Sequence, residues 1–276
     1  MDGLEDNTLV SVIMSVYDGD SAVYLRESIH SVVNQSYKNI EIILIGDGVT
    51  ELNLLNEIRG MELQYSDVLS YLPQDKNKGL ASCMNLAISK AIGCFIARMD
   101  ADDIMDLKRL EEQVIFLKEN SQVDIVGSFI KEFNIDSGSE KLVVYPVDHE
   151  SMKSSFGKRN PLAHPSVMMK RSFFDKAGYY PLHTDKDEDT ILWLNGFLNN
   201  CRFANIPQPL TNMRVSNGFF ERRSGIFKAW QDFRNRSRVI MSLDLSKKNF
   251  IYSIGRFIIQ IIPSPFIKRY IYMNYR

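Results

Sequence analysis

Short apolar runs alternate with amphipathic segments through the first half of the chain. Strands buried on both faces are predicted for four such runs, at residues 9–16, 40–45, 94–99 and 125–133. Helices are predicted from the apolar periodicity of residues 22–33, 79–91, 107–119 and 172–177. The alternation predicts an α/β fold in which helices flank a mostly parallel sheet.

An acidic cluster follows the predicted strand at residues 94–99. Asp100, Asp102 and Asp103 come directly after it, and carboxylates in this arrangement can converge on one hard cation. The cluster predicts a site for Mg²⁺ or Mn²⁺, whereas the three cysteines have no zinc-binding spacing. The alternative is helix capping, because Asp103 or Asp106 is well placed to cap the next predicted helix.

A second carboxylate, Asp47, ends the strand at residues 40–45. Flanked by Gly46 and Gly48, it is suited to bind a base or a ribose, although Asp-Gly is also an ordinary turn. Ligands of such sheets bind beyond the carboxyl ends of the strands, where both Asp47 and Asp100 are expected. The sequence therefore predicts one binding crevice containing both residues.

Two further features have a functional and a structural interpretation. The acidic run at residues 185–189 precedes an apolar helical segment, so it is either a catalytic group or a solvated helix start favoured by the helix dipole. His164, between Pro161 and Pro165, is either a base or ligand or a structural loop residue. These features alone do not decide between the interpretations.

Charge and hydropathy exclude several classes of function. The net charge of -1 offers no overall attraction to nucleic acid, and no phosphate-binding glycine loop or nucleophile elbow is present. The acidic start of the chain is unlike a signal peptide, so a cytoplasmic protein is expected. The most apolar stretch, residues 250–262, is shorter than the roughly 20 residues that span a bilayer.

The end of the chain has its own character. After Asp244 it has six basic and no acidic residues among aliphatic and aromatic ones, which predicts basic amphipathic helices. Such helices suit the anionic inner face of the cell membrane, or else pack on the domain with a solvated basic face. Two regions are expected: residues 1–222, with a nucleotide-binding half (1–135) and an acceptor half (136–222), and a helical extension at 223–276.

Several longer segments resemble a known family. VSVIMSVYDGD, SIHSVVNQSYKNIEIILIGDG, NKGLASCMNLAISKAIGCFIARMDADD, NPLAHPSVMM and DEDTILW occur in the order found in family 2 glycosyltransferases. Between about residues 9 and 223, the chain is similar to bacterial members that build capsule, exopolysaccharide or O-antigen units. The resemblance implies a GT-A fold, inversion at the anomeric carbon, a nucleotide-sugar donor, with UDP the expected carrier, and a glycan or polyprenyl-diphosphate acceptor.

The resemblance also implies roles for individual residues. The nucleotide part of the donor would contact Ser15, Tyr17, Asp47, Asn77 and Asp100, with Tyr17 stacked on the base and Asp100 reaching the ribose or a metal-bound water. Asp102 would bind Mn²⁺ or Mg²⁺, Asp103 would be a second ligand or a cap, and Asp189 would be the general base. Contacts with the acceptor are expected from Glu188, His164, Arg222 and Arg223.

The chain departs from the family pattern at three positions. Gly46 stands where many members have an acidic residue or asparagine, Ser216 where many have histidine, and Ile191 where many have a second aspartate. No Q-x-x-R-W motif ends at Trp193, which favours addition of a single sugar. A haloacid-dehalogenase-like phosphatase using Asp100 and Asp102, or a non-catalytic sugar-nucleotide-binding scaffold, is the alternative.

Overall fold

The runs predicted as strands form the centre of a nine-stranded sheet in the computed structural model, which describes residues 8–183, 187–216 and 225–261. Strands β1 to β9 are Val10–Val16, Ile40–Asp47, Leu69–Gln74, Phe95–Arg98, Ile104–Met105, Ile125–Asn134, Glu140–Val143, Met168–Lys170 and Phe203–Val215. Helices α1 to α9 are Ala22–Val33, Leu52–Gln64, Leu80–Lys90, Arg109–Glu119, His149–Ser155, Arg171–Ala177, Glu188–Leu198, Ile226–Ser242 and Asn249–Ile261. All the predicted strands and helices of the first half are confirmed.

The first half of the sheet is parallel, in the order β3-β2-β1-β4. Its strands are apolar on both faces because each face has its own core. Val12 and Met14 of β1 point into one hydrophobic cluster, and Ile13 between them points into the other. Since parallel strands end at the same edge, the residues that follow β1, β2 and β4 are brought together there.

The second half makes the sheet mixed. β8 pairs antiparallel with β4 and with β6, β9 runs parallel to β6, and β5 and β7 pair antiparallel with β9 and β6. The predicted α/β class with flanking helices is confirmed. The parallel pairing expected for most of the sheet holds between the first four strands in the sheet order and between β6 and β9.

Two elements, α2 and β3, are not among the sequence predictions. The α2 segment contains Gly60 and two asparagines, which favour helix weakly. The β3 segment includes Pro73, which is tolerated because β3 lies at the edge of the sheet. Tyr71 of β3 fills the space left by Gly46, where an added Cβ would overlap its hydroxyl group. The Tyr71 side chain thus occupies the space that a side chain at residue 46 would take.

The last two helices pack against the rest of the protein. Val239 and Leu243 enter a core cluster together with residues of α7, and Asn235 donates a hydrogen bond to Asp187. Arg222 and Arg223, like the basic residues after 261, lie outside the described residues. In the part of the chain that the structure describes, no helix combines the length and apolar character needed to cross a membrane.

Candidate active site

A pocket of about 290 Å³ opens beyond the carboxyl ends of β1, β2 and β4. It is lined by Ser15, Val16, Tyr17, Asp20, Asp47, Asn77, Gly79, Leu80, Asp100, Ala101 and Asp102. All five residues expected to contact the nucleotide are therefore in one pocket, together with Asp102. Their roles toward a ligand stay predictions, but the structure brings them together as the sequence predicts.

Asp47 organises one wall of the pocket. Its carboxylate accepts hydrogen bonds from the backbone N–H groups of Lys78 (2.6 Å) and Gly79 (3.0 Å). Gly48 adopts a φ of +68° and lies so close to the backbone of Asn77 that a Cβ would overlap it. Asp47 thus holds the turn at residues 77–79 against the end of β2 and also faces the pocket.

Tyr17 also lines the pocket. The residue is 44% exposed, and its backbone N–H donates to the Asp20 carboxylate at 3.0 Å. Gly19 lies beneath the ring, where a Cβ would collide with it. The ring is therefore fixed at the pocket mouth with enough free surface to stack on a planar group such as a nucleotide base.

The three aspartates after β4 form a compact cluster. One carboxylate oxygen of each of Asp100, Asp102 and Asp103 lies within 4.8 Å of the others. Asp103 does not cap α4, because its Oδ1 accepts a hydrogen bond from the Arg214 N–H at 2.8 Å and α4 has no side-chain cap. Asp106 lies just before α4, where its Oδ1 accepts from the Lys108 N–H without capping the helix. Capping therefore does not explain the cluster.

The cluster fits a hard divalent cation. Asp103 is buried, and among the described residues its Oδ2 atom has no hydrogen-bond partner. Burial, reinforced by the charge of Asp100, raises the pKa of the Asp102 and Asp103 carboxyls. A buried, unpartnered carboxylate oxygen beside two other carboxylates is the donor set that Mg²⁺ or Mn²⁺ prefers.

Two arginines that the sequence analysis did not single out hold this cluster. Arg98 is 3% exposed and forms a bidentate ion pair with Asp100. The Nε of Arg214 donates a hydrogen bond to the Asp102 carbonyl at 2.8 Å. The Arg214 guanidinium also pairs with Glu27 and lies over the Tyr24 ring. The one available signal for Arg98 is a charged residue in an otherwise apolar strand. Arg98 neutralises Asp100, which leaves Asp102 and Asp103 as the better candidates for cation ligands.

A second carboxylate group lies at the start of α7. Asp189 accepts hydrogen bonds from the Thr190 N–H (2.6 Å) and from the Asn160 amide (2.9 Å). Burial raises the pKa of Asp189, and that of Glu188 to about 7. The Arg98 charge lowers the pKa of both groups, so this buried cation acts on each of the two carboxylate clusters.

His164 has a structural environment. Its Nε2 is hydrogen-bonded to the Tyr180 hydroxyl at 2.9 Å, and its ring contacts Trp193 edge-on. Burial, aided by the Arg98 charge, lowers the pKa of His164 well below its usual value, so the ring is neutral at pH 7. A neutral ring would not attract an acceptor diphosphate, and the predicted contact of His164 with the acceptor stays untested. Arg222 and Arg223 are not in the described ranges.

Comparison with known proteins gives similarity over nearly the full chain. The chain is 28% identical to an Escherichia coli UDP-Gal:alpha-D-GlcNAc-diphosphoundecaprenol beta-1,3-galactosyltransferase, covering 97% of this chain and 96% of the relative. It is 31% identical to the E. coli O-antigen biosynthesis glycosyltransferase WbnJ, covering 76% and 80%. These enzymes are relatives of this chain, and their own substrates are those their names state.

The fold is also that of solved glycosyltransferases. The mannosyltransferase PcManGT of Pyrobaculum calidifontis, solved with GDP-Man and Mn²⁺, superposes with a TM-score of 0.63 at 16% identity, over 90% of this chain and 73% of that one. This similarity confirms the GT-A fold. The model of the Glycosyl transferase family 2 domain matches residues 11–178. The phosphatase alternative is therefore wrong, and the chain belongs to glycosyl transferase family 2.

Proposed function

We propose that this protein transfers one sugar, with inversion, from a nucleoside-diphosphate sugar to a hydroxyl group of a glycan or a polyprenyl-diphosphate-linked acceptor in bacterial surface polysaccharide synthesis. The observation that supports this most is the pocket itself. It combines an exposed aromatic ring at Tyr17, the Asp47 wall and the acidic cluster at Asp100 and Asp102. These groups suit the base, the ribose and the metal-bound diphosphate of a nucleotide sugar.

The two carboxylate clusters have separate roles in the proposed reaction. Asp102 and Asp103 would hold a divalent cation, which would supply positive charge to the diphosphate leaving group. Asp189 accepts the proton of the acceptor hydroxyl as its oxygen forms a bond to the anomeric carbon. The bond from that carbon to the diphosphate oxygen breaks, and the diphosphate leaves with the electron pair. Direct displacement inverts the configuration.

The relatives support the substrate class. One uses UDP-Gal and a diphosphoundecaprenol-linked sugar, according to its name, and PcManGT was solved with GDP-Man and Mn²⁺. We therefore propose UDP as the donor nucleotide, a lipid-linked sugar as the acceptor and Mn²⁺ or Mg²⁺ as the metal.

A donor screen tests this proposal. Thermal unfolding is measured with UDP, GDP, dTDP and their sugars, each with and without Mn²⁺. We expect the true donor to stabilise the protein only with metal, by about 2.7 kcal/mol at a concentration one hundred times its Kd. Sugar transfer to lipid extracts is then assayed with that donor. Binding without transfer or hydrolysis would instead favour the scaffold alternative, and binding without metal dependence would contradict the metal role.

We also propose that α8 and α9 bring the enzyme to an anionic membrane surface. In α9, the polar side chains of Asn249 and Ser253 are buried. Its large exposed hydrophobic side chains are Ile251, Tyr252, Ile254, Ile258 and Ile261. Asp232 of α8 accepts hydrogen bonds from Arg256 and Gln260 and so fixes this orientation of the helix. The apolar face is therefore directed away from the protein.

Basic residues accompany the apolar face. Lys247 and Lys248 precede α9 and are exposed, and the Lys158 ammonium lies 4.7 Å from the centre of the Tyr252 ring. Apolar side chains next to cations suit the interface of an anionic leaflet such as the cytoplasmic one. A lipid-linked acceptor would be presented at the same surface.

Replacing Ile254 and Ile258 by serine is expected to release the protein from vesicles containing phosphatidylglycerol. Each isoleucine that inserts contributes about 1.5–3 kcal/mol, so the partition constant should fall at least about tenfold per substitution. Co-sedimentation measures this. Ile92→Ser is the matched control, since Ile92 is 75% exposed on another surface. Equal binding by the double variant and the control would remove the proposed membrane face.

A further inference from the structure

Asn160 joins the loop after α5 to the start of α7. Its side-chain nitrogen donates a hydrogen bond to Asp189 Oδ2 at 2.9 Å. The two residues are far apart in sequence, and the contact links the candidate base to a segment that contributes nothing to the nucleotide pocket. The contact therefore holds the carboxylate of Asp189 from a direction that α7 itself cannot provide.

Thr190 fixes the orientation of the Asn160 amide. The Thr190 hydroxyl is 3.1 Å from Asn160 Oδ1 and 3.3 Å from Asp189 Oδ1. A hydroxyl has one proton to donate, and the shorter bond goes to the amide oxygen. With its oxygen occupied in this way, the amide must turn its NH₂ group toward Asp189.

We propose that Asn160 is a positioning residue for the transfer reaction, which orients the Asp189 carboxylate toward the acceptor hydroxyl and keeps it ionised. The proposal rests on the proposed role of Asp189 as general base. The Thr190 N–H bonds Oδ1 and the Asn160 amide bonds Oδ2, so both oxygens are fixed and the plane of the carboxylate is set. Asn160 itself does not need to touch the substrate.

The charges around Asp189 determine the expected pH dependence. Burial raises its pKa, whereas the bonds from Thr190 and Asn160 and the charge of Arg98 lower it. Among the residues that the structure describes, Tyr180, Glu188 and Asp187 are titratable groups whose pKa values the Asp189 charge raises. Removing the Asn160 donor should raise the pKa of Asp189. A base must be ionised, so activity would then be lost at a higher pH as the solution is acidified.

The variant Asn160→Leu tests this without creating a cavity or adding a charge, because leucine has nearly the size of asparagine but no hydrogen-bond donor. We expect kcat at neutral pH to fall at least about tenfold, and the acidic limb of the kcat profile to move up by about one pH unit or more. The KM for the sugar nucleotide should stay within about twofold. Thr190→Val, which frees the amide to rotate, should shift the same limb by less.

Asn85→Ala is the matched control, because Asn85 also makes two hydrogen bonds but joins them to the backbone of Tyr180. It should lower the thermal stability without moving the acidic limb. An unchanged kcat and an unmoved limb in both Asn160→Leu and Thr190→Val would overturn the proposal. Asp189→Asn distinguishes the positioning role of Asn160 from the base role of Asp189. If it stops transfer while the Asn160 and Thr190 variants behave normally, only the positioning role is contradicted. If Asp189→Asn transfers normally, both fail.

Discussion

The variant Asp102→Ala is expected to abolish metal-dependent sugar transfer. Among the described residues no ion pair holds the Asp102 carboxylate, whereas Asp100 is paired with Arg98 and Asp103 accepts from the backbone of Arg214. Asp102 is therefore the carboxylate most available to a cation. A metal ion contributes several kcal/mol to stabilising a leaving group, which corresponds to about 10²- to 10⁴-fold in rate.

Transfer assays over a range of Mn²⁺ concentrations, together with calorimetry of donor binding, would measure this effect. The donor should lose its metal-dependent component of binding in the same variant. Asp106→Ala is the matched control, because Asp106 is close in sequence but its carboxylate accepts from the Lys108 N–H, just before α4, and does not belong to the acidic cluster. Full metal-dependent transfer by Asp102→Ala would show that the cation is held elsewhere.

The variant Asp189→Asn is expected to stop turnover while donor binding is retained. Asparagine has the same shape but cannot take a proton, and a general base contributes about 10²- to 10⁴-fold to a rate. Asp189 does not line the nucleotide pocket, so the Kd of the donor with Mn²⁺ should change little. Single-turnover transfer and calorimetry on the same preparation would measure both quantities.

Glu188→Gln is the control for this assignment. Burial and the neighbouring Asp189 raise the pKa of Glu188 to about 7, so at neutral pH it is only partly ionised. We expect its substitution to raise the KM for the acceptor and to keep kcat within about tenfold. If Glu188→Gln stops transfer and Asp189→Asn does not, the base is Glu188. The hydrogen bonds of Asn160 and Thr190 to Asp189 then have a purely structural role.

The nucleotide pocket was accessible to sequence reasoning because its residues follow the ends of apolar strands. Asp47 and Asp100 are recognisable as carboxylates directly at or after such strands, and parallel pairing then places them at one edge, whereas Ser15, Tyr17 and Asn77 were expected from the family resemblance. Because a hydrophobic core covers each face of β1 and β2, these strands do not alternate between polar and apolar residues. Local patterns thus predict the positions of the two carboxylates in this half of the site.

The remaining groups depend on contacts between distant segments, which local patterns do not encode. Asn160 meets Asp189, and Arg214 meets Asp102 and Asp103, only after β6, β8 and β9 have been added to the sheet. The edge strand β3 escaped prediction for a related reason, since its stability comes from pairing with β2 and not from its own propensity.

Helix α9 buries polar side chains and exposes apolar ones, and this changes which substitutions in the helix affect folding. In most helices, a change from isoleucine to a polar residue at a buried position damages folding, and one at the surface is neutral. Along α9 the sensitive folding positions are the small polar ones, Asn249 and Ser253, because these are enclosed. If α9 docks on the membrane as proposed, variation at the exposed isoleucines would leave a folded enzyme with an intact active site that is no longer brought to its lipid-linked acceptor.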